Sequence, residues 1–222
     1  MMINADFAHA IMLNTDEMPW RPSPMPGVER RMLYREGEEV AKATSLVRFS
    51  AGHHFSTHQH GGGEEFLVLD GVFSDEHGNF PAGSYVRNPV GSGHTPFSDQ
   101  GCTILVRLWQ MQEGDDLSVA VNTRSTNRWE STDSEDVEQL KLHHFQDEDN
   151  LMLYWLRASE WQFPSMAQYF ELFVIEGELT LNSASFARTH RLYSGYWFRR
   201  PFPSHGLLMS ATEGTRVLVR TW

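Results

Sequence analysis

Four histidines and two glutamates are concentrated between residues 53 and 65, where the chain reads HHFSTHQHGGGEE. Neutral imidazoles and carboxylates are common ligands of divalent transition metals. Alternate residues of a strand face the same side, so His58 and His60 can direct their rings to one point. The three glycines allow a tight return that brings a carboxylate opposite these rings. His94, in a glycine-rich turn, is a third candidate ligand, and the alternative is that these histidines are hydrogen-bonded core residues.

Short apolar segments separated by turn residues must position these side chains. The first half contains TSLVRF, EFLVL and TILVRLW, and the second half contains LMLYWLR, YFELFVI and RVLVRTW. Segments of this length, rich in Val, Leu, Phe and Tyr, are typical of strands. The acidic segment 133–140 is the one stretch for which we predict a helix. The pattern as a whole predicts an all-β fold.

The strand pattern occurs twice along the chain. GCTILVRLW at 101–109 is similar to GTRVLVRTW at 214–222, and EFLVLDG at 65–71 is similar to ELFVIEG at 171–177. Matches in the same order predict two copies of one β domain. We therefore divide the chain into an N-terminal arm (1–27), a metal-binding domain (28–115), a linker (116–128) and a second domain (129–222).

The segment from Gly52 to Gly71 resembles the first signature of the cupin superfamily, in which a glycine, an HxH pair, a glutamate and a second glycine recur at fixed intervals. The second signature is matched by Gly83, Pro89, Gly91 and His94, with Ser98 where Asn is usual. The resemblance implies two tandem cupin barrels, or jelly rolls, of six to eight strands each.

The resemblance also implies a ligand set for one divalent metal: His58, His60, Glu64 and His94. Glu65 is the alternative carboxylate, but it aligns with Glu171 of the second copy, which indicates a shared structural role. We expect zinc, although iron, manganese and nickel suit the same ligands.

A closer resemblance is to the cupin module of ChrR-type anti-sigma factors, carried by the string GGGEEFLVLDGVFSDEHGNFPAGSYVRNP after HQH. In those proteins a helical zinc domain that holds the sigma factor precedes the cupin. Residues 1–40 offer only His9 as a ligand, and the single cysteine is Cys102, so we expect that domain to be missing.

Two functions therefore compete. The first is a module that senses a small molecule or oxidative stress in transcription regulation. The alternative is a metal-dependent dioxygenase acting on a small diketone or hydroxyketone. A third option is a sugar-binding or storage protein without chemistry.

The second copy lacks the first-signature ligands, because Pro164, Met166 and Phe170 stand where His58, His60 and Glu64 are expected. We predict that this copy binds no metal, with Glu171 and His205 as its remaining pocket candidates. It also carries a group of basic residues that is either an anion site or a solvated sheet edge: Arg188, His190, Arg191, Arg199 and Arg200. We expect the sheet edge, since adjacent strand residues point to opposite faces.

Other residues have weaker claims to a function. Arg48 is expected either in the barrel, where it would meet an anionic substrate, or at the rim. His54 is a candidate to hydrogen-bond a ligand residue. Arg107 and Arg220 occupy matched positions, which predicts a shared structural role such as an ion pair. Cys102 begins a strand and is expected to be a buried apolar residue.

Composition limits the classes of partner that the protein is expected to bind. The 222 residues carry a formal net charge of −11, which disfavours nucleic acid, and 40% are hydrophobic, which is enough for a core. No apolar run is long enough to span a membrane, and one cysteine suits a cytoplasmic protein. We expect a small-molecule ligand or substrate, and a protein partner is a further option. The assembly is expected to be a monomer that mimics a dimer, with a homodimer as the alternative.

Overall fold

A computed structural model of the protein describes residues 1–38, 40–164 and 167–222. These residues form β-strands, turns and one 3-10 helix at Thr15–Glu17, so the predicted all-β class is confirmed. The chain divides into two compact units, which we call the first unit (Met1–Ala5 with Met18–Thr126) and the second unit (Asp6–Glu17 with Asn127–Trp222). Within the described ranges, no helix is long and apolar enough to cross a membrane.

The first unit is a set of antiparallel strands that begins close to the N-terminus. Its strands are β1 (Met2–Ile3), β3 (Arg21–Pro22), β4 (Val28–Gly37), β5 (Ala41–Phe49), β6 (His53–His54), β7 (His58–Gln59), β8 (Glu64–Asp75), β9 (Gly78–Pro81), β10 (Ser84–Asn88), β11 (Gly93–His94), β12 (Phe97–Ser98), β13 (Cys102–Leu108) and β14 (Val119–Asn122). The main sheet has the order β1-β4-β5-β13-β8-β10-β14, and β7 pairs with β11.

Strand β8 lies between β13 and β10 in the main sheet, and its side chains alternate between the two faces of that sheet. Phe66 and Val68 belong to an apolar core that also contains Val106 and Phe73. Glu65 alternates with them and therefore faces the other side of the sheet. Glu64, at the start of the strand, lies on the same side as this core.

The second unit repeats this arrangement. Its strands are β2 (Ile11–Asn14), β15 (Glu130–Ser131), β16 (Val137–Phe145), β17 (Glu148–Trp155), β18 (Ser159–Phe163), β19 (Tyr169–Glu176), β20 (Glu178–Asn182), β21 (His190–Tyr193), β22 (Tyr196–Pro201), β23 (Leu207–Ala211) and β24 (Arg216–Thr221). One sheet has the order β15-β16-β17-β24-β19-β22-β2, and the other has the order β18-β23-β20-β21. Its apolar core includes Trp155, Phe170, Phe198 and Val219, each almost fully buried.

The N-terminal segment contributes a strand to the second unit. Strand β2 pairs with β22, and both the amide and the hydroxyl of Thr15 donate to the carbonyl of Gly195, at 3.0 and 2.6 Å. The segment that we predicted as a linker does the same for the first unit, since β14 pairs with β10 and Thr123 donates twice to Gly83. An Asn-Thr pair precedes each barrel in the sequence, at 14–15 and at 122–123. The internal repeat therefore includes β2 and β14, the strands that end at these two asparagines.

The helix predicted over 133–140 is wrong. Thr132 and Ser134 form a turn, and Val137 begins β16, where it pairs with Trp155 of β17. Val137 and Leu140 are fully buried in the sheet. Pairing with a neighbouring strand overrides the weak local preference of this acidic segment for a helix.

Candidate metal centre

Two short strands, β7 and β11, and the start of the long strand β8 bring the four predicted ligands together. In the β7–β11 pair, His58 lies directly opposite His94. His60 follows β7, and its backbone amide donates to the carbonyl of Ser92 at 2.8 Å, which fixes the loop before β11. Glu64 is the first residue of β8. One potential ligand atom from each of the four side chains lies within 4.8 Å of the others, and this cluster could hold a metal ion.

The distances within the cluster suit a small cation. Oε2 of Glu64 lies 3.4 Å from Nε2 of His60 and 3.3 Å from Nε2 of His94. Tetrahedral coordination with bonds of about 2.0–2.1 Å places ligand atoms roughly 3.3–3.4 Å apart. His60 is 5% exposed and His94 is 2% exposed.

Hydrogen bonds fix the tautomer of each histidine. Nδ1 of His94 lies 2.9 Å from the carboxylate of Asp75, and Nδ1 of His58 lies 3.1 Å from the carbonyl oxygen of Ser56. A carbonyl oxygen can only accept a hydrogen bond, and so can an ionised carboxylate, so these two Nδ1 atoms carry the proton. The Ser92 hydroxyl donates to the carbonyl of Pro89, so at 3.0 Å it accepts from Nδ1 of His60. All three Nε2 atoms therefore keep a lone pair for a metal.

Two of these nitrogens are buried and make no hydrogen bond to a described residue. Nε2 of His60 and Nε2 of His94 are inaccessible to solvent and accept no hydrogen bond from a described residue. A buried polar atom without a partner is costly. A divalent cation would satisfy both atoms at once, and the donor set therefore fits a metal such as zinc, iron, manganese or nickel.

Burial shifts the pKa values of three of the four candidate ligands. Burial, followed by the neighbouring His94 and His58, lowers the pKa of His60 to about 4. Burial also lowers the pKa of His94, although its hydrogen bond to Asp75 opposes this shift. Burial raises the pKa of Glu64 to about 7, against the effect of the hydrogen bond from Asn88. The lowered pKa values of His60 and His94 favour the neutral imidazoles at pH 7 that a metal requires as ligands.

A cavity of about 220 Å³ opens onto the cluster. His58, His60 and Glu64 form one wall. The rest of the described lining is apolar except for Gln59 and the backbone of Gly63: Val47, Phe49, Phe55, Phe73, Pro96, Ile104, Val106, Leu108 and Trp109. This lining contains no lysine or arginine among the described residues. The cavity therefore suits a small organic molecule with an apolar body.

The three glycines after His60 allow Trp109 to cover one side of the cavity. A Cβ atom on Gly62 would lie 2.4 Å from the Trp109 ring, so only glycine leaves room for the indole. The amide of Trp109 donates to the carbonyl of Gly63 at 3.1 Å. Trp109 adopts a positive φ of 58°, a conformation that is uncommon for a bulky residue. The sequence showed the glycines but gave no sign of their partner.

Glu65 points away from the cluster and into a buried ion-pair network. Its two oxygens lie 2.5 Å from Nη1 of Arg87 and 2.5 Å from Nη1 of Arg107. Arg87 also pairs with Asp115. In the second unit, Arg220 forms the matching buried pair with Glu148 at 2.8 Å. Arg107 and Arg220 therefore share the structural role that their repeat positions predict.

Two other predicted residues lie away from the cavity. Arg48 is exposed, pairs with Glu29 at 2.5 Å and stacks over Trp20, because it alternates with the inward-facing Val47 and Phe49. It occupies the rim and not the barrel interior. His54 is exposed and stacks on Phe97, with 5.2 Å between ring centroids, so it does not support a ligand.

The second unit does not rebuild the cluster. Phe170 is fully buried in the apolar core, and Glu171 faces the other side of β19, opposite Arg199 and Arg220. His205 is exposed in a turn before β23, so neither pocket candidate reaches the barrel interior. Met166 lies outside the described residues. Among the described residues, the first unit holds the only group of histidine, cysteine and acidic side chains arranged to hold a metal.

The basic group of the second unit is a solvated edge only in part, since Arg188 and Arg191 are exposed but Arg199 and Arg200 are not. Arg199 is fully buried and lies over the Phe7 ring at 3.9 Å, whereas Arg200 lies over Phe186 at 4.0 Å. The two arginines face opposite sides of the sheet, as predicted from their adjacency. The expectation of solvation is wrong for Arg199 and Arg200, because aromatic rings cover both guanidinium groups.

The fold and the cluster of three histidines and one glutamate define a cupin-fold protein, and the predicted all-β cupin architecture is confirmed. More particularly, residues 8–112 match the family of ChrR cupin-like domains. No curated protein matches the chain in sequence.

Solved structures with a similar fold span nearly the whole chain. A candidate dioxygenase from Nostoc punctiforme has a TM-score of 0.73 and 16% identity, covering 96% of this chain and 82% of its own. A bacterial pirin from Escherichia coli in complex with nickel has a TM-score of 0.70 and 13% identity, covering 96% and 98%. A mutant oxalate decarboxylase from Bacillus subtilis has a TM-score of 0.64 and 13% identity, covering 95% and 76%.

Proposed function

We propose that the first unit is a metal-dependent oxygenase site for a small organic substrate, with one divalent metal held by His58, His60, Glu64 and His94. The observation that carries the proposal is the apolar cavity that opens directly onto the cluster. Four protein ligands by themselves would also suit a closed structural site, and it is the cavity beside the cluster that would give a substrate access to the metal, as a catalytic site requires. The likeness to a candidate dioxygenase is consistent with this proposal.

The residues that line the cavity support the proposed substrate class. The cavity of about 220 Å³ is smaller than a typical drug-sized pocket of about 300–1,000 Å³. Its apolar wall contacts an alkyl or aryl body, and it offers no cation among the described residues for a free carboxylate. The oxygens of the substrate must therefore face the cluster, as in a diketone or hydroxyketone. The bound metal would supply Lewis acidity and, in the case of iron, redox chemistry with dioxygen.

The test is oxygen consumption. Metal-free protein is loaded with ferrous iron, and oxygen uptake is measured with diketones and hydroxyketones that carry methyl, propyl or phenyl groups. We expect uptake with at least one compound and its loss in His58→Ala. The matched control is His54→Ala, which removes an exposed imidazole that does not touch the cluster and should keep the activity. No uptake with iron, manganese or nickel would overturn the proposal.

The second candidate is a sensing module, favoured by the match of residues 8–112 to ChrR cupin-like domains. In that case zinc fills the cluster, no oxygen is consumed, and a small molecule or oxidant alters the cavity. The sequence leads us to expect no binding to purified extracytoplasmic-function sigma factors, since residues 1–40 do not resemble a helical zinc domain. Stable binding would show that the output of the protein is a sigma factor.

A further inference from the structure

The second unit contains an aromatic and basic cluster that the proposed function does not use. His190 of β21 and Arg200 of β22 both pack against Phe186. The ring centroids of Phe186 and His190 are 5.3 Å apart, and the Arg200 guanidinium carbon lies 4.0 Å from the Phe186 centroid. His190 also lies 5.0 Å from the ring of Phe198, which is fully buried in the core. We call His190, Arg200 and Phe186 the β21–β22 cluster.

The guanidinium of Arg200 has no counter-ion among the described residues. Arg200 makes one hydrogen bond, from Nε to the carbonyl of Pro201 at 3.1 Å, and no ion pair. Nδ1 of His190 is buried without a hydrogen-bond partner. Burial, followed by Arg200 and Arg188, lowers the pKa of His190, and no carboxylate opposes this shift. A partly buried guanidinium without a carboxylate is unexpected in a chain with a net charge of −11.

Arg200 occupies the repeat position of Asn88, which lies beside the metal centre of the first unit. In the first unit, Asn88 lies opposite Glu64 and donates to its carboxylate at 3.1 Å. In the second unit, Arg200 lies opposite Phe170. An amide and a carboxylate are thus replaced by a guanidinium and a phenyl ring. The first arrangement attracts a cation, and the second attracts an anion.

We propose that the β21–β22 cluster binds a small organic carboxylate. The two terminal nitrogens of Arg200 make no hydrogen bond to a described residue, so they are available as the planar fork that matches a carboxylate. His190 offers a further polar contact through Nδ1. The aromatic side chains favour a ligand with an apolar body over an inorganic anion, since Phe186 and Phe202 are only partly buried at the edge of the core.

The experiment separates this site from the metal centre. Benzoate is titrated into the full-length His58→Ala/His94→Ala variant by calorimetry, so that no metal in the first unit can hold the carboxylate. We expect saturable binding of one benzoate per chain. Adding Arg200→Gln should weaken it at least tenfold. The matched control is Arg191→Gln, which removes an exposed positive charge from β21 and should change affinity less than twofold.

Three results would overturn the proposal. They are the absence of saturable binding, unchanged affinity in Arg200→Gln, and binding of inorganic phosphate as tight as that of benzoate. His190→Gln provides a second test at a residue that is less central to the sheet, and it should weaken benzoate at least threefold. Circular dichroism of each variant shows whether a loss of affinity comes from the site or from unfolding.

Discussion

Adjacent glutamates on β8 should respond in opposite ways to the same substitution. Glu65 is 5% exposed and accepts from Arg87 and Arg107 at 2.5 Å each. Glutamine keeps the shape of the side chain but turns an amide group toward one of the two guanidinium groups. Removing one partner of a buried ion pair costs about 3–5 kcal/mol. We therefore expect Glu65→Gln to lower the free energy of unfolding of the first unit by that amount.

Glu64→Gln is the matched control, because it is the same change one residue away on the opposite face. Burial raises the pKa of Glu64 from 4.5 to about 7, so ionising this carboxyl at pH 8 destabilises the metal-free protein. A shift of that size corresponds to roughly 3 kcal/mol by linkage. In metal-free protein at pH 8, Glu64→Gln should therefore be neutral or stabilising, by up to that amount.

The assay is urea unfolding of chelator-treated protein, followed by circular dichroism and tryptophan fluorescence. Two units can give two transitions, and the transition of the first unit is the one that zinc shifts in the wild type. The reasoning is refuted if Glu65→Gln lies within about 1 kcal/mol of the wild type, or if Glu64→Gln is the more destabilising change.

Three further predictions concern Asp75, Glu64 and Cys102. Asp75→Asn removes the carboxylate that orients His94, so it should weaken metal binding by about 10–100-fold in a chelator competition assay. The control is Asp70→Asn, a change at an exposed residue of the same strand that should leave metal affinity unchanged. Equal metal affinities of the two variants would contradict the role of Asp75. Because the folded-state pKa of Glu64 is raised, the stabilising effect of its protonation is complete below about pH 4.5 and is lost as the pH rises through about 7. The free energy of unfolding of metal-free wild type, minus that of Glu64→Gln, should therefore fall between pH 5 and pH 8. A constant difference would argue against this raised pKa. Burial raises the pKa of the Cys102 thiol from 9.0 to about 11. Its alkylation by iodoacetamide at pH 8, measured by mass spectrometry, should therefore be roughly 100-fold slower in folded than in urea-unfolded protein. Similar alkylation rates in the two states would contradict the burial of this thiol.

The sequence predicted the parts of the fold and site that depend on local pattern. Alternation along a strand separates Glu64 from Glu65, and it also separates Arg199 from Arg200. The four candidate ligands came from two motifs with fixed spacing, and the structure brings their side chains into one cluster. These features follow from the two-residue period of a strand and from short turns.

Long-range contacts could not be predicted in the same way. Asp75 and Ser92 fix the histidine tautomers, but nothing near them in the sequence indicates their partners. Pairing of β2 with β22 places residues 6–17 in the second unit, although they precede the first barrel. The Asn-Thr pairs at 14–15 and 122–123 were the one available signal. The aromatic cover of Arg200 likewise depends on Phe186, which lies in a loop without periodicity.

The central claim is that the first unit holds one divalent metal through three histidines and Glu64. The most direct measurement is the metal content of protein purified without chelators, by inductively coupled plasma mass spectrometry. We predict about one metal ion per chain in the wild type and in the His205→Ala control, and almost none in His58→Ala/His94→Ala. Equal metal content in the wild type and the double variant, or no metal in the wild type after incubation with zinc or iron, would contradict the account.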